Sequence, residues 1–160
     1  MSSLNKRTQQ GFTIVELLIV IVVIGILAAL VITTYSGIQQ KGRNTERTTD
    51  LKAVQGQLEA YYASNGRYPT TTDLGSTSAS NLTFIKASMK GLDPDALRDP
   101  KGAANDFSLA ATATVNKYAY APDDGTGAAC NNTTTDCAKY VLTAKPEGGG
   151  ADIISNSLNN

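Results

Sequence analysis

The chain has 160 residues, enough for one modest domain with an N-terminal extension, and 41% of them are hydrophobic. Fourteen basic and 14 acidic residues give a formal net charge of zero, so no excess of positive charge indicates a nucleic acid as the main ligand. Histidine is absent, which removes the commonest general base and a frequent metal ligand, and we expect no enzyme.

The apolar residues are concentrated near the N-terminus. Residues 12–32 read FTIVELLIVIVVIGILAALVI, with a single charge at Glu16. As a helix this run would extend about 31 Å at about 1.5 Å per residue, close to the roughly 30 Å of a bilayer core. Lys6 and Arg7 precede it, and a basic flank keeps the leader in the cytoplasm while the following chain is translocated. The run is therefore predicted to cross a membrane.

Three kinds of segment carry an apolar run near the N-terminus. A cleaved secretory signal has a shorter apolar stretch, about 7–15 residues, and then small residues of the A-x-A type, which residues 33–35 do not provide. A plain signal anchor explains the length and the basic flank, but not an acid where a membrane charge is costly. A processed membrane helix in which Glu16 has a function explains all of these features.

The sequence GFTIVEL of residues 11–17 resembles the processing site of type IV prepilins and pseudopilins, the class III signal peptides. The resemblance implies that a membrane peptidase cuts after Gly11 and that Phe12 becomes the N-methylated first residue. It also implies that the Glu16 carboxylate pairs with the N-terminal ammonium of a neighbouring subunit. Since Phe12 and Glu16 are i and i+4 in one helix, an internal pair is the alternative. Either pair would set the height of a subunit, because an unpaired buried carboxylate is strongly disfavoured.

The helical pattern continues beyond the apolar run. An amphipathic stripe with spacing i, i+3, i+7, i+10 and i+11 is formed by Leu51, Val54, Leu58, Tyr61 and Tyr62. A helix from Phe12 to Ser64 would be about 80 Å long, so its first half should protrude from the domain. Gly66 is expected to turn the chain, Pro69 to stop the helix from resuming, and Tyr68 to pack back on the helix.

A short helix and a small sheet are predicted downstream. Residues 81–90 carry apolar side chains at helical spacing. Two-fold alternation predicts three strands, formed by Phe107, Leu109 and Ala111, by Val115, Tyr118 and Tyr120, and by residues 139–145. Short strands joined by turns favour an antiparallel meander on the C-terminal half of the long helix. The predicted fold class is therefore α+β, and residues 151–160 have too little pattern to assign.

Cys130 and Cys137 lie between the second and third predicted strands. In an exported region they fit one disulfide or two free thiols, and their spacing does not decide between these. Pilins often carry a C-terminal disulfide loop. Asp123 and Asp124, followed by Gly125, suggest calcium, because major pseudopilins bind calcium in a C-terminal loop. The two acids do not form a full oxygen-ligand set and are also usual turn residues, so we expect no metal and no other cofactor.

The resemblance also implies a division of the chain, a location and partners. Residues 1–11 would be the leader peptide, residues 12–32 the membrane and assembly half of the helix, and residues 33–160 the rest of the helix with a globular α+β head. The precursor is expected in the inner (cytoplasmic) membrane and the mature chain in an extracellular filament on the cell surface. The expected partners are copies of itself, the prepilin peptidase, and the pilus assembly platform with its ATPase.

Three functions within the family fit the sequence: a pilus for attachment or twitching motility, a competence pilus for DNA uptake, and a major pseudopilus of a type II-like secretion system. Residues 65–69, NGRYP, are similar to a segment of major pseudopilins. The cysteine loop favours a pilus, which we prefer. Outside the family, the alternative is a monomeric membrane-anchored binding domain, which would have no need of Glu16.

Overall fold

The structure is a computed structural model that describes residues 11–75 and 77–159. Its contacts divide the chain into two units, Met1–Gln39 and Gln40–Asn160. The basic leader residues Lys6 and Arg7 lie outside the described residues.

Helix α1 extends from Ile14 to Asn65 and agrees with the predicted Phe12–Ser64 to within two residues. It ends at Gly66, whose φ of 72° is the left-handed conformation that glycine adopts without strain. The Gly66 N–H donates to the Tyr62 carbonyl at 2.7 Å, which closes the last turn. The predicted stop signal is therefore confirmed.

The core of the second unit forms around the C-terminal half of α1. Leu51, Val54 and Leu58 from the predicted stripe are each at most 2% exposed. They pack with buried residues of helix α2 (Ser78–Ser88), of a 3-10 helix (Pro94–Leu97) and of the sheet. The stripe is thus confirmed as the face that the domain buries.

Helix α2 begins three residues before the predicted segment because Thr77 caps it. The Thr77 hydroxyl accepts the Ser80 N–H at 3.2 Å, an N-cap contact that satisfies one of the free amides of the first turn. Ile85 and Met89 point into the core, as their spacing predicted.

The sheet has three antiparallel strands in the order β1 (Ala119–Asp123), β2 (Lys139–Ala144), β3 (Ile153–Asn156). Tyr120 pairs with Leu142, and Leu142 pairs with Ser155, so β2 is central and apolar on its core face. The α+β fold with a long N-terminal helix and a small antiparallel meander is confirmed.

The first predicted strand is wrong. Between Phe107 and Ala111 only one isolated bridge forms, from Ala110 to Ala119. The amide that would continue this parallel pairing is that of Ser108, and it donates to the Asp106 carboxylate at 3.1 Å instead. Val115, which was expected in the second strand, is 70% exposed in a tight turn that precedes β1.

The third strand of the sheet is instead the C-terminal β3, in the stretch whose pattern was too weak to assign. Its sequence Ile-Ile-Ser-Asn does not alternate between apolar and polar residues, although the exposure of its side chains does alternate. The pairing with β2 therefore specifies this strand, and the pattern of its own residues does not predict it.

Candidate processing and assembly site

The predicted cleavage point lies immediately before α1. Gly11 and Phe12 are exposed and non-helical, and the Phe12 side chain is 88% exposed. Space around Gly11 is open, since a Cβ placed there would meet no atom within 4 Å. A peptidase would therefore meet the Gly11–Phe12 bond on an accessible stretch of backbone.

Thr13 and Glu16 form a capping box at the start of α1. The Thr13 hydroxyl accepts the Glu16 N–H at 3.2 Å, and the Glu16 carboxylate accepts the Thr13 N–H at 2.8 Å and the Thr13 hydroxyl at 2.7 Å. This reciprocal arrangement satisfies two amides that the first helical turn leaves free. In the precursor chain, the carboxylate of Glu16 is therefore held by its own helix.

This role of Thr13 was not predicted from the sequence. The signal for it was a Thr followed three residues later by a Glu, directly before an apolar run. With the peptide bond before Phe12 intact, Phe12 carries an amide and no ammonium. The predicted pair between Glu16 and an ammonium belongs to the processed chain and stays a prediction.

The run that follows exposes an unusual amount of apolar surface. In residues 12–32 every side chain is exposed, and the large apolar ones range from 49% to 88%. One 18-residue window of α1 has a mean hydropathy of 3.2 and no buried residue, which meets the length and composition of a membrane span. A surface of this kind marks a membrane or protein contact.

A buried arginine ties the second unit together. Arg47 on α1 is fully buried and makes a bidentate pair with Asp99, from Nε to Oδ2 at 2.6 Å and from Nη2 to Oδ1 at 2.8 Å. Its Nη1 donates to the Asn44 Oδ1 at 2.8 Å, and Nη2 also donates to the Glu147 Oε1 at 3.1 Å. The buried Arg47 guanidinium is stable because carboxylates from two turns pair with it. Through these pairs, Arg47 holds the 99–102 turn and the 146–150 turn against α1.

Glu147 is the second centre of this network. Arg43 binds its carboxylate with two hydrogen bonds of 2.6 and 2.7 Å, and Lys101 approaches it at 3.1 Å. These contacts, led by the hydrogen bond from Arg43, lower the pKa of Glu147 to about 2. Asn44 accepts the Glu147 N–H at 2.9 Å, so backbone and side chain of this turn are both fastened to α1.

A carboxylate nearer the C-terminal end of α1 holds the C-terminal segment of the chain. Glu59 accepts hydrogen bonds from the hydroxyls of Tyr68 at 2.9 Å and Tyr140 at 2.8 Å, and from the Leu158 N–H at 3.0 Å. Burial and the neighbouring Glu59 carboxylate raise the pKa of both tyrosines. Tyr68 therefore packs back on the helix, as predicted, while the role of Glu59 was missed.

The two cysteines form a disulfide, Cys130–Cys137, which decides between the alternatives that their spacing left open. The enclosed loop packs on the segment after α1, since the Tyr68 N–H donates to the Cys137 carbonyl at 2.8 Å. Asn132 completes the contact by donating to the Tyr68 carbonyl at 2.7 Å and accepting the Cys137 N–H at 2.7 Å. The disulfide loop and the NGRYP segment therefore form one structural unit.

The acids considered for calcium are engaged in a turn. Asp123 accepts the Gly125 N–H at 2.6 Å, and Asp124 accepts the N–H groups of Thr126 at 2.8 Å and Ala128 at 3.2 Å. The hydroxyl of Thr126 adds a further bond, and these contacts lower the pKa of Asp124. In residues 11–75 and 77–159, no three Cys, His, Asp or Glu side chains come together as metal ligands.

Comparisons with known proteins show which class of protein this chain, with its long helix, small sheet and helix-start motif, belongs to. The family model described as the prokaryotic N-terminal methylation motif matches residues 6–32. Toxin coregulated pilin of Vibrio cholerae is 30% identical over 155 residues, which covers 95% of this chain and 68% of that protein. The fold and motif thus define a pilin-like protein with an N-terminal membrane-type helix. This chain belongs to the type IV pilin and pseudopilin family.

Other relatives are shorter matches. Type II secretion system core protein G is 41% identical over 66 residues in Dickeya chrysanthemi and 43% identical over 65 residues in Klebsiella pneumoniae. Each match covers 41% of this chain, and the chain spans 43% and 46% of those two proteins. No solved structure matches the chain significantly.

Proposed function

We propose that this chain is a structural subunit of a type IV pilus that polymerises through residues 12–32 of α1 into an extracellular filament. The observation that carries the proposal is the extent of the similarity to toxin coregulated pilin, which covers 95% of the chain. The similarity to the type II secretion protein covers 41%. The disulfide loop of the head agrees with this preference.

Assembly would use the N-terminal site in three steps. The prepilin peptidase hydrolyses the exposed Gly11–Phe12 bond at the membrane, and the new amine of Phe12 is methylated. The amine is protonated and lies one residue before Thr13, next to the Glu16 carboxylate or that of a neighbouring copy. Burying both charges together is far less costly than burying either alone, so subunits at the correct height are favoured.

The apolar surface of residues 12–32 would supply the association itself. In the precursor it is covered by lipid, and in the filament by the same segment of other copies, since each exposed apolar group gains from leaving water. Such packing has little directionality, and the Glu16 pair would add the register. The assembly platform and its ATPase would move subunits from the inner membrane into the filament. We propose no catalytic role and no cofactor for the chain.

A major pseudopilin of a type II-like secretion system is the second candidate. The 41–43% identity to the core protein G relatives favours it, as does the NGRYP segment at residues 65–69. A monomeric membrane-anchored binding domain is the third, although it gives Glu16 no function.

The first test is the intact mass and N-terminal sequence of the protein from a sheared cell-surface fraction of the native strain. We expect a chain that starts at Phe12, with a methyl group, and filaments that are visible by electron microscopy. A chain that keeps residues 1–11 and stays wholly with the membrane would refute both filament functions. Deleting the gene then separates those two: loss of surface filaments with unchanged secreted proteins indicates a pilus, and loss of secreted proteins indicates a pseudopilin.

A further inference from the structure

The C-terminal half of α1 has charged grooves on both flanks of the stripe that the domain buries. One groove lies between α1 and the segment around the 3-10 helix, and we call it the acidic groove; it is lined by Glu46, Asp50, Asp93 and Asp95, with Arg43 and Arg98. The other lies between α1 and the start of β3, and we call it the basic groove; it is lined by Lys41, Lys52 and several threonines, with Pro146 and Ile153.

The arginines of the acidic groove are already neutralised within the chain. Arg43 pairs with Glu147 at 2.6 Å, and Arg98 pairs with Asp95 at 3.4 Å. Glu46 is exposed and has no ion-pair partner among the residues that the structure describes. The acidic groove therefore carries uncompensated negative charge.

Asp50 and Asp93 add to this charge. The Asp50 carboxylate accepts the Tyr118 hydroxyl at 2.8 Å, and this partner brings no positive charge to the groove. The exposed Asp93 caps the 3-10 helix by accepting the Asp95 N–H at 3.1 Å. Neither acid forms an ion pair within the described part of the chain.

The basic groove carries the opposite charge. Lys41 and Lys52 are both exposed, and within the described residues neither has an acidic partner. They are 11 residues apart, about three helical turns, so they share one face of α1. The exposed Thr45 and Thr49 lie between them and are small enough to let another surface approach closely.

One subunit cannot match these two grooves to each other. Glu46 and Lys52 are six residues apart on α1, which at about 100° per residue places them about 120° apart around the helix axis. A second copy can match them, because every copy has one groove of each sign. A contact between two different surfaces of identical subunits is heterologous, and when its rotation does not close it generates a filament.

We propose that the acidic groove of one subunit receives the basic groove of a second copy, which forms a heterologous contact between the globular heads of neighbouring subunits in the filament. This rests on the proposed function, since a polymer is what brings the two faces together. The apolar helix supplies association, and the groove contact specifies which neighbour docks and in which orientation. Charge complementarity acts in this way at protein interfaces, where it suppresses wrong pairings more than it adds affinity.

The test is charge reversal in the full-length chain, read out as filament yield in the sheared fraction. Glu46→Lys and Lys52→Glu should each lower the yield about tenfold or more, because each places like charges opposite each other. The double variant Glu46→Lys/Lys52→Glu should restore the yield, since every contact regains a pair of reversed sign. Lys86→Glu, an exposed reversal on α2 outside both grooves, is the matched control and should assemble normally.

Co-expression gives a second, sharper readout. Cells that make the two single variants together should form mixed filaments. When the two variants alternate, every contact joins a positive groove of one variant to a negative groove of the other. Filaments from both single variants alone, or no rescue in either the double variant or the mixture, would overturn the groove contact. Resistance of the head to limited proteolysis checks that each variant is folded. If the unaltered chain forms no filaments, the proposed function fails; if it does and the single variants do too, only the groove contact fails.

Discussion

Arg47 and Asp99 are 52 positions apart in the sequence, and their side chains form a bidentate ion pair that is almost completely buried. The pair joins α1 to the turn that precedes the sheet region. Folding removes both charges from water. The stability of the head therefore depends on both partners being present.

Removing one partner of that pair should destabilise the head strongly. We expect Asp99→Ala to lower the free energy of unfolding by about 3–5 kcal/mol, since it leaves the buried Arg47 guanidinium uncompensated. Urea denaturation of the detergent-solubilised chain, followed by near-ultraviolet circular dichroism of its tyrosines, measures this. Asp95→Ala, which removes an exposed pair with Arg98, is the control and should cost about 0–1 kcal/mol. Equal losses in the two variants would contradict the structural role of Asp99.

Asp50 should make the stability of the head depend on pH between about 4 and 6. Burial, with the nearby Glu46, Asp99 and Asp93 carboxylates, raises the pKa of Asp50 to about 6, although the hydrogen bond from Tyr118 opposes this. Between its ordinary pKa near 4 and the raised value, the folded state binds more protons than the unfolded state, so stability falls as the pH rises through this window.

The variant Asp50→Asn tests this dependence, because it keeps an acceptor for the Tyr118 hydroxyl and loses the titration. Relative to the unaltered chain, its free energy of unfolding should increase from pH 4 to pH 7 in a series of urea titrations. Glu147, whose stabilising contribution is lost as the pH falls from about 4.5 toward 2, is present in both chains and cancels in the difference between them. A difference that is constant across the series would refute the assignment.

The disulfide should stabilise the head by a moderate amount. Cys130 and Cys137 are separated by seven positions, and the loop-entropy estimate for a closure this short is roughly 2–3 kcal/mol. We expect Cys130→Ser/Cys137→Ser to lower the free energy of unfolding by that amount, measured by the same urea titration. The effect should centre on residues 65–69, on which the loop packs, and amide hydrogen exchange there should accelerate. Unchanged exchange in that segment would contradict the described packing.

The capping box allows the charge of Glu16 to be separated from its hydrogen bonds. Glu16→Gln keeps an oxygen that accepts the Thr13 N–H, whereas Glu16→Ala loses both the cap and the charge. If assembly requires the charge, both variants should form few filaments by electron microscopy of the sheared fraction. Thr13→Val removes the hydroxyl of the box and keeps the charge, so it should assemble better than either. Normal filaments from Glu16→Gln would show that the cap, and not the charge, is what Glu16 contributes.

Much of the architecture was predictable because it depends on local chemistry. The apolar run, the amphipathic stripe around Leu58 and the stop at Gly66 each follow from residues that are neighbours on one helix. The strands were predicted less well. The segment around Leu109 alternates correctly and still forms no strand, since the Ser108 N–H that would continue the pairing donates to Asp106 instead.

The burial of charged residues in the head could not be predicted from the sequence either. In the sequence, Arg47 and Glu59 look like the solvent-facing charges of any amphipathic helix, and nothing near them marks them as buried centres. Their partners come from distant positions: Asp99 for Arg47, and Tyr140 and Leu158 for Glu59. A charge inside a protein is stable only when folding brings such partners to it, so burial of these groups is not a local property.

By itself, the sequence determined that the chain has a membrane-type apolar helix, a processing motif at Gly11 and Phe12, and one acid at Glu16, because composition and spacing along a single helix carry that information. Only the tertiary structure decided that the cysteines are paired, that β3 completes the sheet, and that Arg47 and Glu59 anchor the head. The physical reason is that these features depend on contacts between residues far apart in the chain, whose energies exist only once the backbone has brought them together.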